Sequence, residues 1–133
     1  GDELMVLYGV PIESKNDPQK AVDTAKQMFL KLKEFNEVNK SRGFPKIKIG
    51  IGINYGEVIS GNIGSDRQMN YTVIGDNVNL AARLCSHAKP SQIVISKSVF
   101  EKLDDKSYFK KMDAIELKGK SKKIENWILD MSN

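Results

Sequence analysis

The spacing of apolar residues changes along the chain, and each change marks an element. Residues 3–9, "ELMVLYG", form a nearly unbroken apolar run, the pattern of a buried strand. After the loop "VPIESKNDP", Val22, Ala25, Phe29, Leu32 and Phe35 recur at helical spacing, with Lys26, Lys31, Lys33 and Glu34 largely between them. This predicts an amphipathic helix that starts with Asp17 as cap and Pro18 at the first helical position. It ends near Asn39, before Gly43 and Pro45. Its apolar stripe is read as core packing.

From Lys46 the period drops to two. Ile47, Ile49, Ile51 and Ile53 face one way; Lys46, Lys48, Gly50 and Gly52 face the other. The stretch "KIKIGIGINYGEVISGNIG", residues 46–64, is read as a hairpin with "NYGE" as its turn. Its glycines at 50, 52, 56, 61 and 64 are dense for a strand. Two readings stand open: bulges and turns, or close approach of a ligand or a second chain to the backbone. "MNYTVIG" (69–75) is a further strand, and Asp76 or Asn77 can cap a helix that runs to Pro90. "SQIVIS" (91–96) is a strand and "KSVFEKL" a short helix. "YFKKMDAIELKG" and "KIENWILDM" are two final strands joined by the basic turn "KGKSKK". The order β-α-β-β-β-α-β-α-β-β mixes hairpins with helices, so the fold class is α+β.

Composition narrows the function. The chain has 133 residues, 40% hydrophobic and 29% charged, enough for one soluble domain with a buried core. A net charge of +4 suits a phosphate-bearing ligand but is too weak and scattered to indicate nucleic acid. Cys85 is the only cysteine, which excludes an internal disulfide and suits a reducing, cytoplasmic setting. It is read as a small core residue. His87 is read as interacting with the last carbonyls of its helix. Neither has a partner at metal-ligand spacing. No apolar run reaches membrane-span length, and the Gly-Asp-Glu opening is unlike a signal peptide. A membrane-anchored parent polypeptide stays compatible with this. A strand pattern that begins at residue 3 suggests a piece of a longer protein, cut on its N-terminal side.

The stretch "GDNVNLAARL", residues 75–84, puts Asn79 and Arg83 four apart on one helix face. An arginine fork beside an amide suits an anionic oxygen plus a ribose oxygen; a surface arginine paired with a carboxylate is the alternative. "YTVIGDNVNLAARL" also resembles the helix motif of class III nucleotidyl cyclases, the enzymes that make cyclic AMP or cyclic GMP. "GDELMVLYGVP" is similar to the family's Gly-Asp strand segment, "GIGINYGEVISGNIGS" to its glycine-rich hairpin and "ELKGKSKKIENWIL" to its terminal strand pair. The four occur in the family's order across nearly all of the chain.

The resemblance implies a ferredoxin-like sandwich: a mostly antiparallel sheet with helices packed mainly on one face. It implies a head-to-tail homodimer whose active site is shared between subunits. The reaction would be attack of a nucleotide's 3′-hydroxyl on its own α-phosphate, with two divalent ions, Mg2+ or Mn2+, holding the phosphates. By the same resemblance Asp2 matches the second of two metal-binding aspartates. Asn79 matches the residue that orients the ribose and Arg83 the one that stabilises charge on the α-phosphate. Lys118 matches a lysine that reaches the terminal phosphates, and Thr72 sits where the family reads the base. A threonine there favours ATP without excluding GTP. Gly61 and Gly64 would allow close packing near the cleft.

The pattern is incomplete. The family's first metal aspartate and its base-selecting lysine lie upstream of residue 1, with the first strand and first helices. Residues 1–133 are therefore expected to be a cyclase catalytic domain without its N-terminal portion, inactive or nearly so alone. Its parent is expected to carry sensory or regulatory domains. The competing readings are a catalytically silent nucleotide-binding or regulatory module, a guanylyl cyclase, and a pure oligomerisation domain, which has no need of Asn79 with Arg83. The signature of diguanylate cyclases, a related fold, is not in the sequence.

Overall fold

The computed structural model describes residues 3–10, 12–63, 70–116 and 122–132, with the backbone alone at 60, 62–63 and 70–73. Helix α1 spans Asp17–Ser41. Asn16 holds the cap position, and Asp17 is the first helical residue instead of the expected cap. Its buried carboxylate accepts a hydrogen bond from the Ser14 amide at 2.8 Å. The expected apolar stripe is only partly used: Val22, Ala25 and Phe29 are buried, whereas Phe35 is 51% exposed. Length explains this. A 25-residue helix is about 38 Å long, more than any of the described strands can cover.

The remaining helices are α2, Asp76–His87, and the single turn α3, Lys97–Phe100. The strands are β1 (Ile51–Ile53), β2 (Ile59–Ile63), β3 (Asn70–Ile74), β4 (Gln92–Ser96), β5 (Lys110–Glu116) and β6 (Lys123–Asp130). Four of them make one sheet in the order β1-β4-β6-β5, with β1 parallel to β4 and the other pairs antiparallel. β2 and β3 form a separate antiparallel ribbon. The α+β class holds.

Two expectations from the sequence need correction. Residues 46–64 are not a hairpin: the regular strand is only Ile51–Ile53, its ladder runs to β4, and β2 pairs with β3. At Asn54 the side chain turns to α2 and the chain leaves the ladder. At the other end, the Asn36 side chain holds Ile47: its Nδ2 donates to the Ile47 carbonyl at 2.8 Å, and its Oδ1 accepts from the Ile47 amide at 2.9 Å. Nor do residues 3–7 form a strand. No described strand pairs with them, and Leu4, Met5 and Val6 are exposed. An apolar run becomes a strand only when a neighbour supplies hydrogen bonds and a surface to bury against. The following residues do dock on α1, through the Tyr8 hydroxyl on Thr24 Oγ1 at 2.5 Å.

Period-two alternation in β4 sorts the core into two halves. Ile93 and Ile95 face α1 and α3, joining Val22, Ala25, Phe29, Val99 and Trp127. Val94 faces the other way, toward Leu84 of α2, with Ile115 beside it and Ile124 and Ile128 partly buried. Most of the helix lies on the first face, as expected; α2 lies alone on the second.

The glycines of residues 50–56 explain how α2 gets there. A Cβ at Gly52 would collide with the backbone nitrogen of Cys85, and one at Gly50 would sit 2.7 Å from the Ala88 Cβ. What approaches the backbone of β1 so closely is a helix of the same chain. Gly61 has nothing within 4 Å of its Cβ position among the described residues, and Gly64 lies outside them.

Candidate active site

Gly75 caps α2, and its φ of 136° is open to glycine far more readily than to other residues. Neither Asp76 nor Asn77 is the cap; both are inside the helix. Leu84, with Leu80 and Ala88 partly buried, turns to the sheet. That leaves Asp76, Asn79 and Arg83 on a stripe that opens on a cavity of about 750 Å³. Four segments wall it: α2, the loop at Asn54 and Tyr55, the β4–α3 junction at Ser96–Ser98, and the start of β6 at Lys122–Glu125. This volume is typical of small-molecule sites.

Asn79 is exposed to the cavity and Arg83 is half-buried at its wall. The Arg83 Nη2 donates to the Glu116 carbonyl at 3.4 Å. Its Nε is buried and has no acceptor among the described residues. No carboxylate among them pairs with Arg83, so the alternative of a simple surface ion pair is not what is seen. A buried donor without an acceptor costs about 1–3 kcal/mol, so an anionic oxygen brought to this wall has that much to restore.

The cavity is weighted toward positive charge. Lys97, Lys122, Lys123 and Arg83 line it against Asp76 and Glu125. Glu125 is already engaged, by Lys111 at 3.1 Å and Lys97 at 3.6 Å. The hydrogen bond from Lys111, then the charges of Lys111 and Lys97, hold its carboxyl below the usual glutamate range.

The polar side of the cavity was not foreseen from sequence. Asn54 Nδ2 donates to the Asn77 carbonyl at 3.0 Å and lies 3.1 Å from Asn77 Oδ1. Asn77 Nδ2 donates to the Glu57 carbonyl at 2.8 Å, and the Ser98 hydroxyl to the Tyr55 carbonyl at 2.7 Å. The signal was there, as the first polar residue to break the Ile-Gly alternation, but it read as a turn.

Comparison with known proteins gives this geometry a context. The sequence profile described as "Adenylate and Guanylate cyclase catalytic domain" matches residues 1–131. The chain belongs to this cyclase family. Among curated relatives, the soluble guanylate cyclase subunit beta-2 of Rattus norvegicus is 34% identical over 134 residues, covering 100% of this chain and 19% of its own length. The chain thus spans about a fifth of the length of such relatives. Among solved structures, the guanylyl cyclase Cya2 matches with a TM-score of 0.85 at 32% identity, over 98% of this chain and 74% of its own. The adenylyl cyclase CyaB from P. aeruginosa matches with a TM-score of 0.78 at 32% identity, over 90% and 63%. Both adenylyl and guanylyl cyclases are therefore relatives of this cyclase domain.

The site residues matched by resemblance fall into three groups. Asn79 and Arg83 share the cavity. Thr72 lies on β3 opposite Gly61, with its side chain outside the described part. Asp2 and Lys118 lie outside the described residues.

Cyclase domains of this family generally use divalent metals. The described residues of the present domain do not by themselves fit one: no group of three or more His, Cys, Asp or Glu could hold an ion, and of the two carboxylates at the cavity Glu125 is bound to lysines. His87 is exposed and Cys85 Sγ lies 3.7 Å from the Gly50 carbonyl, away from any such group. No helix among the described residues is long and apolar enough to cross a membrane.

Proposed function

We propose that this cyclase domain converts ATP to 3′,5′-cyclic AMP and pyrophosphate, as one subunit of a homodimer that shares the site. The observation that carries this reading is the common opening of Asn79 and Arg83 on one cationic cavity. The 3′-oxygen forms a bond to the α-phosphorus as the bond to the β-phosphate oxygen breaks, and the hydroxyl proton leaves to solvent. Negative charge builds on the α-phosphate and on the leaving pyrophosphate. A guanidinium at that point acts where charge develops, which makes it worth more in the transition state than in the ground state. The Asn79 amide orients the ribose, so that the attacking oxygen stays in line.

By resemblance, Lys118 takes the terminal phosphates, Asp2 a metal ion and Thr72 the adenine amino group, to which a hydroxyl oxygen offers an acceptor. Guanylyl cyclase relatives make GTP the second substrate to test. The assay uses the full-length product of the gene, with ATP or GTP and Mg2+ or Mn2+, and quantifies cyclic nucleotide. Cyclic AMP is expected, and Arg83→Ala is expected to lower its formation about 10²–10³-fold. Cyclic GMP in its place would reassign the base. No product from either nucleotide, with the protein folded and dimeric, would leave a regulatory or nucleotide-binding module.

A further inference from the structure

The start of α2 lacks the usual means of fixing a helix. Its cap is Gly75, and no side chain caps it; the first turn is closed only by the Val78 and Asn79 amides on the Gly75 carbonyl, at 3.1 and 3.2 Å. Asn77 supplies another anchor. Its side-chain Nδ2 donates to the Glu57 carbonyl at 2.8 Å, while Asn54 Nδ2 donates to its side-chain Oδ1 at 3.1 Å and to its backbone carbonyl at 3.0 Å. Gly56 lies directly under that amide, and any Cβ at Gly56 would overlap it. The loop and the amide are therefore matched to one another. The loop is fixed in turn to the β4–α3 junction by the Ser98 hydroxyl on the Tyr55 carbonyl.

Farther along, α2 rests on β1 at Gly52 and Gly50 through backbone and Ala88 contacts. Those contacts set its distance from the sheet. Rotation about the helix axis is resisted in the middle of α2 by the buried Leu84 with Leu80 beside it, and at its N-terminal end these contacts give no hold. The Asn77 amide is a directional peg at one end. Arg83 lies six residues on, about 9 Å along the axis. A slight rotation released at Asn77 would therefore carry both Asn79 and Arg83 off the cavity.

We propose that Asn77 is a positioning residue: its amide, locked over Gly56 between Asn54 and Glu57, sets the rotation of α2 and so the aim of Asn79 and Arg83. The proposal rests on the cyclase reading for its consequence in turnover, and not for the geometry itself.

Two measurements separate these. In the 133-residue chain, the Arg83 Nε–H resonance, assigned by its loss in Arg83→Lys, and the Asn79 side-chain amide resonances are followed in Asn77→Ala and Asn54→Ala. The Trp127 indole N–H, on the opposite face of the sheet, serves as reference. Both variants are expected to shift the Arg83 and Asn79 signals and leave Trp127 in place. If Asn77→Ala does not fold, Asn54→Ala carries the test, since it keeps the bond to Glu57. In the full-length product, Asn77→Ala is expected to lower kcat between about tenfold and 10²-fold with KM nearly unchanged, the cost of misplaced catalytic groups. Asn77→Ala in the Arg83→Ala background is expected to add little. Unmoved Arg83 and Asn79 signals, with or without a loss of thermal stability, overturn the proposal. So does a kcat loss that persists undiminished in the Arg83→Ala background. Shifted signals alongside a full-length product that makes no cyclic nucleotide would sustain the positioning role and sink the cyclase reaction.

Discussion

The two faces of the central sheet are held by different physics. On one, α1 lies over Ile93, Ile95 and Trp127 through large side chains, with Phe29 among them and Phe100 stacked on Trp127 at 4.4 Å. On the other, α2 lies almost on the backbone of β1, where glycines leave room and the apolar cluster is small. The first face derives its stability from buried area, which is insensitive to small shifts. The second derives its placement from steric contact and a few hydrogen bonds, which are sensitive to them. The residues read as catalytic stand on the second face. An interface built for position and one built for adhesion are thus separated by a single sheet.

The contrast breaks most visibly at Phe29. Phe29→Ala is expected to cost about 3–5 kcal/mol, the range for truncating a buried aromatic, measured as a shift in the urea midpoint. The Arg83 Nε–H signal of the surviving folded fraction should stay where it is. Gly52→Ala tests the other face. Its Cβ meets backbone, which cannot rotate away, so about 3 kcal/mol is expected, at the upper end of the usual overpacking cost. Unlike Phe29→Ala it should move the Arg83 and Asn79 signals. If both substitutions disturb α2 equally, the division between faces is wrong.

The smallest effect concerns acid. Glu125 has its pKa lowered by Lys111 first and Lys97 second, so the stability it contributes is present above the ordinary glutamate range and lost as pH falls through the lowered value. The group is solvent-exposed, so the effect is slight. Glu125→Gln should flatten the acid limb of a pH–stability curve a little and leave it unchanged near neutrality.

Elements with strong internal period were legible in the sequence. α1 at Asp17–Ser41, β4 at Gln92–Ser96 and β6 at Lys123–Asp130 lie close to where their spacing put them. Partnership was not legible. "ELMVLYG" has the composition of a strand but no described neighbour to pair with, and Ile59–Ile63 chose Asn70–Ile74 over the preceding strand. Pairing is a property of two segments, and period describes only one. The site divides similarly. The shared face of Asn79 and Arg83 follows from helical geometry, whereas the Asn54–Asn77 bond joins residues 23 apart and left no local mark.

The Asn36 grip on Ile47 has a consequence for solubility. "KIKIGIGI" alternates isoleucine and leads into β1, the end strand of the described sheet, and such segments invite strands from other molecules. At Ile47, whose side chain is exposed, one carboxamide fills both the donor and the acceptor that an incoming strand would need. Lys46 and Lys48 flank that point with like charge. Asn36 thus takes, at that one residue, the pair of hydrogen bonds that a neighbouring strand would take.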